Sequence, residues 1–288
     1  MIDDETNGLK PGQFSDGGTP DVNFIEQFRK EEGEFRRRKI ALIDNLAHTK
    51  AITPQYAQLL HRIHTSTLGA EGATLRKVEA VIAMREVLKA EGIAQKYSAN
   101  MGAATDWEFP VALGAREIVM VDSDYGKGNT AQQLFDSVRS FDSQAIMTDG
   151  DNPDIRFNVD IGEGKEGVLL HLNSSEITKY QPDRPLGLVV EFAGPTKGSN
   201  TSRVPVISNV TMGMASDGLV YNLDYNDEFC YTPDIGMTQI EREGFHLYKV
   251  QDRDKMVTAS RMIFEPARDG TLEQLRNIHA SHLKSGNK

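Results

Sequence analysis

The sequence predicts an α/β fold built on a mostly parallel sheet and preceded by a helical region. Three observations carry this. From about residue 95, short β-rich runs alternate with helical or loop spans, at 118–121, 155–159, 168–172, 186–190 and 219–223. That alternation points to βαβ units. Upstream of it, apolar residues recur at helical spacing instead. Near the end, the runs 245–250 and 257–264 are separated only by Gln251–Met256, too short for a helical crossover, which predicts an antiparallel hairpin.

Taken in order, residues 1–20 are rich in Gly, Asp, Pro and Thr and show no apolar period, which predicts a disordered tail. Residues 21–92 form the helical region. Phe24, Ile25, Phe28, Phe35, Leu42 and Leu46 make its first stripe. Thr53-Pro54 is a start signal, a hydroxyl cap and then a proline in the first turn. It opens a helix carrying Tyr56, Leu59, Leu60 and Ile63. Leu75, Val78, Val81, Ile82 and Leu88 make a third stripe, closed by Gly92. Isolated helices of this length are marginal in water, so the stripes are expected to pack against the remainder, residues 93–288.

Composition narrows the function classes. With 39% hydrophobic and 26% charged residues, the chain is that of an ordinary globular protein. No run approaches the ~20 apolar residues needed to span a bilayer. The start, Met1-Ile-Asp-Asp-Glu-Thr6, lacks the basic and apolar stretches of a secretory signal. The single cysteine, Cys230, excludes an internal disulfide and suits a reducing compartment, so a soluble cytoplasmic protein is expected. A net charge of −10 argues against a broad nucleic-acid surface. The basic cluster Arg36-Arg37-Arg38-Lys39 follows Glu31-Glu32-Gly33-Glu34. It reads as a solvated helix face with opposite charges one turn apart, or else as a phosphate- or partner-docking face.

The segment 97–124 carries the chemistry. It reads as a strand, a turn of small residues, a short helix and a second strand that ends in an acid. Gly102, Ala103 and Ala104 let the backbone approach a ligand closely. Asp122 ends the second strand about twenty residues after the turn, where Rossmann-type sites hold an acid that accepts hydrogen bonds from ribose hydroxyls. Trp107 and Phe109 read as core anchors. His61 and His64 stand three apart on a helix without a third metal ligand nearby. Gly126-Lys-Gly-Asn-Thr130 lacks phosphate-loop spacing, and no G-x-S-x-G elbow is present.

On these residues the chain from 95 to about 266 resembles the Rossmann-like S-adenosylmethionine-dependent methyltransferase superfamily. The resemblance implies a seven-stranded methyltransferase sheet with an antiparallel final strand, and S-adenosylmethionine as cofactor. It puts Gly102-Ala103-Ala104-Thr105-Asp106 in the first cofactor loop, and Asp122 with Ser123 at the ribose. Ser174 and Ser175, in the loop after the third core strand, would contact adenine. Glu191-Phe-Ala-Gly-Pro195 would follow the fourth strand, where donor and acceptor meet. It also makes Thr238–Phe245 a helix before the sixth strand. Two departures stand out: Asn100 replaces the usual acid of the first strand, and Ala104 and Asp106 replace two loop glycines. Asp106 would face the amino-acid ammonium of the cofactor. The implied function is methyl transfer to a small molecule or protein; the alternative is a non-catalytic regulatory protein that binds a nucleoside or the same cofactor.

Overall fold

The computed structural model describes residues 22–65, 78–102, 105–176, 179–191, 209, 212–222, 236–241 and 246–259. Three N-terminal helices come first: α1 (Val22–His48), α2 (Pro54–Thr65) and α3 (Val78–Ala90). Helix α2 opens as its sequence predicts, with Thr53 Oγ1 accepting from the Tyr56 N–H at 3.1 Å. The same hydroxyl donates to the Asp160 carbonyl. Gln55 Oε1 accepts from the Asp160 N–H at 2.6 Å, so the start of α2 is pinned to the body of the fold. Helix α3 gives way to Gly92, whose φ of 69° is the left-handed conformation that ends helices.

The strands are β1 (Tyr97–Met101), β2 (Glu117–Val121), β3 (Ile146–Met147), β4 (Asp154–Asp160), β5 (Lys165–Asn173), β6 (Leu186–Glu191), β7 (Met214–Asn222), β8 (Met237–Glu241) and β9 (His246–Val250). Between and after them lie α4 (Glu108–Ala112), α5 (Thr130–Phe141) and α6 (Arg253–Ala259). The strands form one nine-stranded sheet in the order β3-β4-β5-β2-β1-β6-β7-β9-β8. From β5 to β7 the neighbours are parallel. Strand β9 is antiparallel to both β7 and β8. From β5 to β8 this makes seven strands, with the antiparallel β9 inserted next to the edge.

Two expectations are corrected. The sheet has nine described strands rather than seven. Gly162 (φ 116°) and Gly164 (φ 93°) let the chain reverse after Asp160, so β4 folds back antiparallel on β5 and carries β3 outside it. The closing hairpin also lies one element earlier than expected. Residues 238–241, read as part of a helix, lie in strand β8, and 257–259, read as the start of the final strand, lie in helix α6, which already begins at Arg253 within the expected turn. The reason is local. The Gly236 carbonyl accepts from the N–H groups of Gln251 and Asp252 and ends the β8–β9 ladder there. Asp252 Oδ1 then caps α6 by accepting from the Lys255 N–H at 2.9 Å. The rest of the run, 260–264, lies outside the described residues, as does the tail 1–20.

Alternate residues of each strand serve the two faces of the sheet. On one face Ile118, Met120, Leu170, Leu188 and Leu219 share a core with Ile43, Tyr56, Leu60, Val81 and Leu88 of the N-terminal helices. On the other, Ala99, Val119, Val189 and Val220 pack with Tyr248 and Met256. Among the described residues no helix is long and apolar enough to cross a membrane.

Candidate functional site

The parallel registers set Asn173, Val121, Met101, Glu191 and Asn222 side by side, one from each of β5, β2, β1, β6 and β7. This row is the carboxyl edge of the sheet. The chain builds outward from β1 through β2 to β5 on one side, and from β6 to β7 on the other. The direction switches between β1 and β6, and open α/β sheets bind ligands in the crevice outside such a switch.

The residues just beyond the row form the predicted loops. Gly102 follows β1 with φ 69°, a conformation a side chain strains, and its N–H donates to the Val121 carbonyl at 2.9 Å. Asp122 follows β2, and its N–H donates to the Asn173 carbonyl at 3.0 Å. Each loop is thus tied to the end of the next strand. Ala103 and Ala104 lie outside the described residues. Thr105 is exposed and Asp106 half-buried. The buried Asn100 amide donates to the Asp106 carbonyl at 2.8 Å. That explains the departure at this position: a neutral donor here holds the loop, which a carboxylate would not do.

The Asp122 carboxylate caps the 3-10 turn Ser123–Gly126, with Oδ1 accepting from the Asp124 N–H at 2.9 Å. Ser123 is half-buried within that turn. Tyr125 is buried in it, and burial first, then the Asp122 and Asp106 carboxylates, push its phenol pKa up. Glu108 opens α4 two residues after Asp106. Its carboxyl is pushed up to about 7, chiefly by burial and next by Asp106, with Arg62 working against the rise.

Ser174 lies one strand further over. Its N–H and hydroxyl both donate to Asn152 Oδ1 at 3.0 Å. A Cβ on Gly126 would stand 3.2 Å from Ser174 Cβ, so the turn after β2 rests against this loop. Ser175 is exposed and its N–H donates to Asn173 Oδ1 at 2.9 Å. Glu191 closes β6 level with Met101, across the switch point; residues 192–195 lie outside the described residues.

The structure therefore gathers Gly102, Asp106, Asp122 and Ser123 around the ends of β1 and β2. It sets Ser174 and Ser175 on one flank and Glu191 on the other. Sequence reasoning missed Tyr125 and Glu108. Tyr125 had a signal, as an aromatic residue three positions after the strand-end acid. Glu108 had none, because its interest comes from burial beside Asp106. Trp107 and Phe109 are buried as read.

His61 pairs with Asp44 at 2.9 Å and His64 is buried. Among the described residues no group of three or more His, Cys, Asp or Glu is placed to hold a metal ion. In the basic cluster Arg37 and Arg38 are exposed but Lys39 is buried, so it is not a uniform solvated face. Cys230 lies outside the described residues.

No protein-family model matches the chain, and no curated protein matches its sequence. Solved structures do. An amino pentose methyltransferase from Micromonospora echinaspora, bound to S-adenosylmethionine, is 9% identical with a TM-score of 0.33 over 59% of this chain, which spans 62% of that protein. A putative methyltransferase from Escherichia coli is 14% identical with a TM-score of 0.37 over 59% of this chain and 86% of its own. The N-methyltransferase NodS from Bradyrhizobium japonicum, in complex with S-adenosylhomocysteine, is 10% identical with a TM-score of 0.40 over 69% of this chain and 100% of its own.

Proposed function

We propose that the chain is an S-adenosylmethionine-dependent methyltransferase whose acceptor is a small molecule or a protein. One observation carries the reading: the ends of β1 and β2 lie in register beside the switch point, with a left-handed Gly102 on one and a strand-end Asp122 on the other. The fit to the cofactor follows from the donor set. Gly102 leaves room for a close backbone approach. Asp122 supplies a carboxylate to vicinal hydroxyls, and Asp106 a second one to an ammonium. Bound there, S-adenosylmethionine supplies a methyl group already activated on a sulfonium. The protein's own residues then have to bind, orient and exclude water, which needs no acid–base pair in fixed spacing.

The test is calorimetry with S-adenosylhomocysteine. A hydrogen bond to a charged group contributes about 1.5–3 kcal/mol, so Asp122→Ala should weaken binding roughly ten- to a hundred-fold. Because Asp122 also caps the 3-10 turn, Asp122→Asn is the cleaner variant. It keeps an acceptor for the Asp124 N–H and loses only the charge. Unchanged affinity in both variants would remove Asp122 from the ribose site and the cofactor assignment with it. Tight binding with no methyl transfer across an acceptor panel would favour the non-catalytic alternative.

A further inference from the structure

Arg62, on α2, belongs to the N-terminal helices yet reaches the chain that follows the cofactor loop. Its guanidinium donates to Glu108 Oε1 at 3.4 Å, the Ser137 carbonyl at 3.1 Å, Ser137 Oγ at 3.2 Å and Ser140 Oγ at 2.7 Å. It lies over the rings of Trp107 and Phe141, 5.8 and 5.7 Å from their centroids. Ser137 ties the group together, accepting from Trp107 Nε1 at 3.1 Å and donating to Glu108 Oε1 at 3.4 Å. Trp107 and Glu108 are the two residues after Asp106. On the other side, Asn100 holds the Asp106 carbonyl, and the Trp107 N–H donates to the Thr105 carbonyl at 3.1 Å. The Asp106 end of the loop is therefore held both from β1 and from α2.

We propose that Arg62 is a positioning residue for the cofactor loop, setting through Glu108 and Trp107 the place of Asp106 and its grip on the ammonium group of the cofactor's amino-acid portion. This rests on the reading given under Proposed function. Two carboxyl groups, Asp106 and Glu108, share the site, and the charged groups acting on Glu108 are Asp106 from the loop and Arg62 from α2; Ser137 faces it from α5. Glu108 titrates near neutrality for the reasons of burial already given. A cation held at Asp106 favours the ionised Glu108, and by linkage an ionised Glu108 favours the cation. Affinity for a ligand bearing an ammonium should then rise with pH through about 7.

The experiment is calorimetry on the full chain at about pH 6 and pH 8, comparing S-adenosylhomocysteine with adenosine, which lacks the amino-acid portion. Wild type should bind S-adenosylhomocysteine several-fold more tightly at the higher pH and adenosine equally at both. Glu108→Gln, nearly isosteric, should flatten that pH dependence. Arg62→Met should weaken S-adenosylhomocysteine about ten-fold, the scale of one lost charge-assisted contact, with little effect on adenosine. Arg62→Lys should recover part of that loss. An equal loss of both ligands in Arg62→Met, or a pH dependence that survives Glu108→Gln, overturns the positioning role while the cofactor assignment stands. Wild type that binds neither ligand overturns both.

Discussion

The two faces of the central sheet are built from alternate residues of the same strands, yet they are closed in different ways. Toward the N-terminal helices the surface is apolar and filled by aromatic rings. Trp107 meets Phe141 and Phe157 edge-on at 5.4 and 5.1 Å between centroids. On the far side, over β2 and β5, the crossover 174–185 contains no helix among its described residues. There the sheet presents a polar network instead. His171 sits between Asp154, 2.8 Å from Nδ1, and Glu117, 3.2 Å from Nε2. Arg184 pairs with Glu117 and stacks on Tyr97, its guanidinium carbon 3.6 Å from the ring centroid. A cleft of about 280 Å³ remains beside these groups. The helical side grips the site loops, because Trp107 and Glu108 directly follow Asp106. Damage to that side should therefore reach both stability and the site, and damage to the other should stay local.

The largest effect expected is at Trp107, which is fully buried. Trp107→Ala removes the centre of the aromatic cluster and the partner of Ser137, and large aromatic deletions of this kind cost about 3–5 kcal/mol. Denaturant unfolding measures it, and a loss below about 1 kcal/mol would erase the contrast between the faces. A smaller effect is expected at His171. Its removal leaves the Asp154 and Glu117 carboxylates without their shared partner, at a cost of about 1–2 kcal/mol. Cofactor affinity should hardly change in His171→Ala, since no residue that this side chain bonds belongs to the loops after β1 or β2. A drop as large as that of Trp107→Ala would mean that the polar network, too, supports the site.

This contrast also marks what was legible in the sequence. Helical stripes with period 3.6 and runs such as 118–121 state their burial directly, so the helical region, the central strands and the loops after β1 and β2 could be read. The hairpin was misplaced because 237–241 and 253–259 are short and mixed in polarity. Their state is decided by Gly236 and the Asp252 cap rather than by pattern. Glu108 was invisible because a glutamate two residues after a loop acid looks solvated until α2 and α5 close over it. The His171 network was invisible for a related reason. Asp154, Glu117, His171 and Arg184 lie on three strands and a loop, and only the register of β2, β4 and β5 brings them together.

The smallest effect expected is at Arg184, and it carries a pH signature. Hydrogen bonding from Arg184 is the leading cause holding the Glu117 carboxyl below its ordinary range; burial opposes it, and His171 assists. An acid whose pKa is lowered on folding stabilises the protein above the unfolded value, about 4.3–4.5, and that contribution is lost as pH falls through the lower folded value. Both side chains are substantially exposed, at 42% for Arg184 and 37% for Glu117. Solvent screening therefore limits the pair to roughly 0–1 kcal/mol. Arg184→Gln should destabilise by less than about 1 kcal/mol at pH 7, and its gap from wild type should narrow as the pH of unfolding is taken progressively below about 4.3. A gap that persists unchanged in acid would mean that Arg184 acts through its stacking on Tyr97, which does not depend on the charge of Glu117.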